Sequence, residues 1–221
     1  MSSPADGPAP ARYAVLVPVK PPAIAKSRLA PLGDDARRDL AAAFAADTVA
    51  AVLSCEVVDR ALVVTDDHVL ARTMTDLGAD VIPDGTSDLN GTLVQAAAEM
   101  HRRDPGLRLA VVCADLPALR AAELASALRA AAPGGMSFVT DREGVGTTVV
   151  AAPDLDAFRP SFGPGSRVQH LAAGAHEVDG VDVPSVRRDV DDPADLDEAL
   201  ALGVGPRTSL VATTLHRRPT S

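Results

Sequence analysis

Through the first 140 residues, short apolar runs alternate with segments of helical period. The apolar runs are 12–19 (RYAVLVPV), 61–65 (ALVVT), 80–82, 108–113 (RLAVVC) and 136–140. Between them, 67–77, 91–102 and 123–132 read as helices, and Asp34 or Asp35 is placed to cap another that runs to Leu53. Gly78 stands where a helix C-terminus favours glycine. Such alternation predicts an α/β fold in which helices cover both faces of a mostly parallel sheet. Ligands of these sheets bind beyond the carboxyl ends of the strands. The loops of interest therefore follow Val19, Ile82 and Cys113.

The second part is less regular. Residues 147–151 read as a strand, 166–173 as a helix and 186–191 as a late strand. Asp192 is placed to cap a last helix, with Pro193 at its first position and Asp195 at its third. Residues 1–11 read as a disordered lead-in, 12–203 as one domain and 204–221 as a loose tail without a clear period. A hydrophobic content of 47% supports a sizeable core, and with aromatics at 2% that core must be aliphatic. No apolar run is long enough for a membrane span, and no secretory signal is read at the start. Cys55 and Cys113 read as free thiols of a cytoplasmic protein. The net charge of −9 argues against a nucleic-acid surface but leaves room for a local anion site.

Such a site is suggested by the lysines. There are only two, Lys20 and Lys26, and both lie in the loop 18–31, joined by Arg28. Three cations in one loop after a strand could hold phosphates, although the loop lacks the Walker pattern. Asp115 lies in the turn just after the strand 108–113; it is as readily a turn or capping residue as a carboxylate that faces the expected crevice, where it would suit magnesium. Asp189 and Asp191 are two apart on an extended segment, so both point to one side and repel unless a cation lies between them. A solvated acidic run before a helix is the simpler reading of that pair, and Asp115 tips the balance toward a metal. The turns 141–148 and 162–166 are glycine-bearing, and the second precedes a helix, so they suggest a separate anion site. None of the five histidines has metal spacing; His170, one turn after Ser166, is the one to watch.

In order along the chain, these segments resemble the CofC/FbiD family, the guanylyltransferases of coenzyme F-420 synthesis. The resemblance rests on Val17-Pro-Val-Lys20 with Ala25-Lys-Ser-Arg-Leu29, Pro83-Asp84 with Asp88-Leu-Asn90, and Ala114-Asp-Leu-Pro117. It continues in Gly144-Val-Gly-Thr-Thr148, Phe162-Gly-Pro-Gly-Ser166 with His170, and Asp189-Val-Asp-Asp-Pro193. It implies a Rossmann-like three-layer sandwich of the nucleotide-diphospho-sugar transferase type, GTP as donor and Mg2+ as cofactor. The implied acceptor is phosphoenolpyruvate or 2-phospho-L-lactate. The Ala- and Arg-rich composition is similar to that of actinobacterial members, which use phosphoenolpyruvate.

By position, the resemblance implies that Asp115, Asp189 and Asp191 hold the metal and that Thr148, Gly163 and Ser166 hold the acceptor. Pro83, Asp84, Asp88 and Asn90 are implied for the nucleotide; Lys20, Lys26 and Arg28 are expected, from their own charge, to neutralise the phosphates during transfer. The product would pass to the deazaflavin transferase of the same pathway, and a homodimer is compatible with all of this. Two other readings stay open: a molybdenum-cofactor or sugar-phosphate nucleotidyltransferase, and a nucleotide-binding module without catalysis. The first usually carries a Gly-rich loop where this chain has Pro18-Val-Lys20-Pro-Pro22.

Overall fold

A computed structural model describes residues 11–86 and 88–216. The first ten residues of the expected lead-in at 1–11 and the last five residues of the expected tail lie outside the described residues. Seven strands form one sheet, in the spatial order β3-β2-β1-β4-β6-β5-β7. They are β1 (Tyr13–Pro18), β2 (Val58–Val64), β3 (Asp80–Ile82), β4 (Arg108–Val112), β5 (Ser137–Val139), β6 (Val149–Ala152) and β7 (His176–Glu177). Only β6 runs against its neighbours, pairing antiparallel with β4 and β5. The expected α/β architecture with a mostly parallel sheet is what forms.

β1 shows why the strands read as unbroken apolar runs. Tyr13, Val15 and Val17 pack on one face with α1 (Asp34–Leu53), α2 (His68–Leu77) and α4 (Ala121–Ala130). Ala14 and Leu16 pack on the other face with α3 (Leu89–Arg103). A strand buried on both faces has no polar side to alternate with. β1 also lies between β2 and β4, so the chain leaves it in one direction and returns to its other side through α3. This is a topological switch point, and it opens a crevice between the loops that follow β1 and β4.

Three expectations are corrected. Residues 186–191 do not form a strand: a short helix, α6 (Pro184–Arg187), is followed by extended chain outside the sheet. The alternation argument still holds there, because Val190 is fully buried while Asp191 is exposed. Gly33, not an aspartate, is the N-cap of α1, and Asp34 pairs with Arg37 instead. The stretch after 203 is not loose as far as His216. It forms α8 (Pro206–His216), which packs along α1. Docking is directed by Asp47 of α1, whose carboxylate accepts the backbone N–H of Arg207 at 3.2 Å and of Thr208 at 2.8 Å. The remaining helices are α5 (Ser166–Ala172) and α7 (Pro193–Leu202). Asp192 caps α7 in a capping box with Asp195, as expected. No helix of the described residues is long and apolar enough to cross a membrane.

Candidate active site

The lysine loop is shaped by a residue that the sequence did not single out. The buried Arg37 of α1 donates to the carbonyls of Pro22 at 2.9 Å, Ala23 at 3.1 Å and Ala25 at 2.5 Å. Three carbonyls gathered on one guanidinium fold the loop back over α1. Lys26 follows at φ 55°, the only non-glycine residue with positive φ among those described. That conformation is costly for a side-chain-bearing residue and persists where surrounding contacts fix it. Its ammonium lies 2.5 Å from Asp115 Oδ2 and 2.7 Å from Asp191 Oδ1. Burial works to lower the Lys26 pKa, but Asp115 and Asp191 together outweigh it and raise it above the ordinary lysine value. Arg28 stands further out, 3.8 Å from Asp191 Oδ2, and Lys20 is exposed on the crevice wall.

Asp115 is presented by the turn that leaves β4. Buried Thr48 of α1 grips this turn, accepting the Leu116 N–H at 3.1 Å and donating to the Ala114 carbonyl at 3.3 Å. The Val190 N–H donates to the Asp115 carbonyl at 3.0 Å. That bond draws the 189–191 segment to the end of β4 and brings three aspartates, distant in sequence, into one electrostatic neighbourhood. Asp189 registers the crowding: burial first, then Asp115 and Asp191, push its pKa up to about 7. Asp191 is pulled below the ordinary carboxylate value because Lys26 and Arg28 outweigh its desolvation. One oxygen of Asp115, Oδ1, is buried without a hydrogen-bond partner. Among the described residues no three His, Cys, Asp or Glu side chains already stand as a metal cage, since Lys26 lies between two of these carboxylates. Cys113 carries a thiol whose pKa burial raises further, and both cysteines are free.

The crevice at the switch point has a volume of about 700 Å³. Lys20, Lys26, Arg28, Asp115 and Asp191 line it. Of the four residues expected for the nucleotide, Asp84 lines it as well, held by the Thr86 N–H at 3.2 Å and by the Thr92 hydroxyl. Pro83 is exposed beside it. Asp88 is the N-cap of α3, accepting the Gly91 N–H at 2.7 Å. Asn90 turns away to a loop 72 residues distant, donating to the Phe162 carbonyl at 3.0 Å and accepting the Phe162 N–H at 2.8 Å. Within this segment, then, Asp84 faces the crevice while Asp88 and Asn90 are engaged in contacts of the fold itself.

Thr148, Gly163 and Ser166 lie in a second region around His170. The His170 ring accepts the Ser161 N–H at Nε2 over 2.9 Å, so its proton sits on Nδ1 and is directed at Thr147 Oγ1, 3.1 Å away. Ser166 Oγ donates to the same Thr147 oxygen at 3.0 Å. Thr147, the unremarked neighbour of Thr148, is thus the centre of the network. Thr148 itself keeps a buried hydroxyl with no partner. The backbone N–H groups of Gly163 and Gly165 have no intramolecular acceptor among the described residues. Burial pushes the His170 pKa down to about 4. The unfolded chain then binds the proton first, near pH 6.5, so the stability held above that pH is lost as pH falls toward 4. We expect thermal melts to show a steeper fall in Tm between pH 6.5 and 4 for the wild type than for His170→Asn.

Comparison with known proteins places the chain. The family model described as "Guanylyl transferase CofC like" matches residues 13–211. A phosphoenolpyruvate guanylyltransferase of Thermomonospora curvata is 49% identical, with 90% of this chain and 88% of that protein covered. One of Streptomyces scabiei is 48% identical, covering 92% and 97%. Among solved structures, a 4-diphosphocytidyl-2C-methyl-D-erythritol synthase aligns with a TM-score of 0.60 at 14% identity, covering 87% of this chain and 99% of that one. A cytidylyltransferase of Leptospira borgpetersenii aligns at 0.57 and 11% identity, covering 95% of each chain. The structural likenesses speak for the fold, which is shared as well with a "putative nucleotide-diphospho-sugar transferase" of Desulfovibrio desulfuricans at a TM-score of 0.59 and 19% identity, covering 87% of this chain and 96% of that one; the matched length and the identity to the guanylyltransferases show that this chain belongs to the CofC-like guanylyl transferase family.

Proposed function

We propose that this chain transfers GMP from GTP to phosphoenolpyruvate, releasing pyrophosphate and forming enolpyruvoyl-2-diphospho-5′-guanosine. The observation that carries the reading is the meeting of Lys26 with Asp115 and Asp191 inside the crevice at the switch point. The names of the relatives from Thermomonospora curvata and Streptomyces scabiei support phosphoenolpyruvate as acceptor.

The residues fit Mg2+. Asp115, Asp189 and Asp191 offer hard carboxylate oxygens, Asp115 Oδ1 is buried and unpartnered, and Asp189, raised first by burial and then by Asp115 and Asp191, is a carboxylate that a bound cation would relieve. When bound, the ion would neutralise charge on the reacting phosphates. The protein's own part is positioning and charge. A phosphate oxygen of the acceptor attacks the α-phosphorus of GTP, the bond to the β-phosphate breaks, and pyrophosphate leaves with the electron pair. The acceptor phosphate is already ionised at neutral pH, so no general base is required. Lys20, Lys26 and Arg28 offset negative charge on the triphosphate, and Thr148 with the free Gly163 and Gly165 amides holds the acceptor. The product, a phosphoanhydride between GMP and the enol phosphate, suits onward transfer to a deazaflavin.

The test is pyrophosphate release from GTP and Mg2+ with each acid offered separately, with mass analysis of the product. Release with phosphoenolpyruvate is the expected result. Release with 2-phospho-L-lactate or 3-phosphoglycerate alone would replace the acceptor. GTP binding with no release from any acid, even with the deazaflavin-utilising enzyme present, would overturn the enzymatic reading.

A further inference from the structure

Asn90 belongs by sequence to the segment that approaches the nucleotide, yet both functions of its amide are spent on one residue of the other region. Its donor meets the Phe162 carbonyl at 3.0 Å and its acceptor meets the Phe162 N–H at 2.8 Å. The neighbours give this clamp its meaning. Leu89, one residue before, lines the crevice, as do Asp84 and Thr86. Gly163, one residue after Phe162, has φ 136° and an unpartnered N–H, and Gly165 with φ 67° has another. Both glycines adopt a region of backbone conformation that other residues avoid, so their amide directions are set by where the loop is anchored. The anchors are two: His170 takes the Ser161 N–H from below, and Asn90 takes Phe162 from the first turn of α3.

We propose that Asn90 is a positioning residue that locks the acceptor loop 161–165 to the nucleotide-side helix. The span between the two substrates is then fixed by one side chain rather than by base recognition. The acceptor half of this inference rests on the proposed function; the mechanical tie does not.

The experiment compares wild type with Asn90→Ala and Asn90→Asp. Asp keeps an acceptor for the Phe162 N–H but sets a carboxylate oxygen against the Phe162 carbonyl. Loss of two neutral hydrogen bonds is worth roughly a tenfold rise in KM for phosphoenolpyruvate. KM for GTP and the preference for guanine over adenine should stay within about twofold of wild type. The Phe162 amide, followed by NMR hydrogen exchange on the unliganded protein, should exchange faster in Asn90→Ala. A rise in KM for GTP alone, with relaxed base preference, would return Asn90 to base reading and overturn the proposal. So would equal rises in both KM values, unchanged KM values with a lowered Tm, or unchanged Phe162 exchange. If the wild type turned over no acid, the proposed function would fall, and the exchange result would decide the tie by itself.

Discussion

Asp115→Asn is expected to lower kcat by about a thousandfold, equivalent to ~4 kcal/mol of transition-state stabilisation, while the fold survives. The substitution keeps the shape of the side chain and removes its charge. Two consequences oppose each other in the unliganded protein. Lys26, whose side chain is only 12% exposed, loses one of its two carboxylate partners and keeps Asp191. Asp189, pushed up to about 7 partly by Asp115, loses a repulsive neighbour and relaxes toward an ordinary carboxylate. The two effects largely offset, so Tm should move by no more than a few degrees. No such compensation is expected in catalysis, because the turn held by Thr48 presents Asp115 to the crevice between the loops that follow β1 and β4. Steady-state turnover with GTP, Mg2+ and phosphoenolpyruvate, paired with a thermal melt, checks both halves. Near-normal turnover in a folded variant would remove Asp115 from the reaction centre.

The legible part of this protein was what local chemistry dictates. Strands buried on both faces announce themselves as apolar runs, and the rule that ligands sit beyond their carboxyl ends located the loops at 20, 84 and 115 without any contact being known. Asp189 and Asp191 could be paired because an extended chain alternates, even though the segment turned out to have no sheet partner. What stayed hidden depends on contacts between distant positions. Nothing near Arg37 says that it will gather three loop carbonyls, and nothing near Thr48 says that it will grip a turn 66 residues away. Asn90 is a case of the same kind, since sequence order puts it beside Asp88 while the fold bonds its side chain to Phe162, 72 residues away. The C-terminal helix was missed for a related reason. Its run of Thr and Val has weak intrinsic helix preference, and its stabilising contact is an aspartate on α1.

That contact gives the largest expected effect on stability. Asp47→Ala should destabilise the protein by about 2–4 kcal/mol, because a buried carboxylate bonded to two first-turn N–H groups combines a helix cap with charge-assisted hydrogen bonds. The Asp47 side chain is 1% exposed, so water cannot readily replace it. For a chain of this size the change corresponds to a fall in Tm of roughly 5–15 °C. Gly205→Ala should act at the same joint from the other side. A Cβ there would stand 2.4 Å from Asp47 Cγ and 2.6 Å from Asp47 Cβ, so the helix could keep its seat only by moving the carboxylate that holds it. The joint also reaches the candidate active site, since the Gly205 N–H donates at 2.8 Å to the Pro117 carbonyl, two residues beyond Asp115. Both variants should therefore lose activity on warming before global unfolding, and be cut more readily by protease near 203–206. A Tm for Asp47→Ala within about 1–2 °C of wild type would mean that α8 is held by its apolar contacts alone.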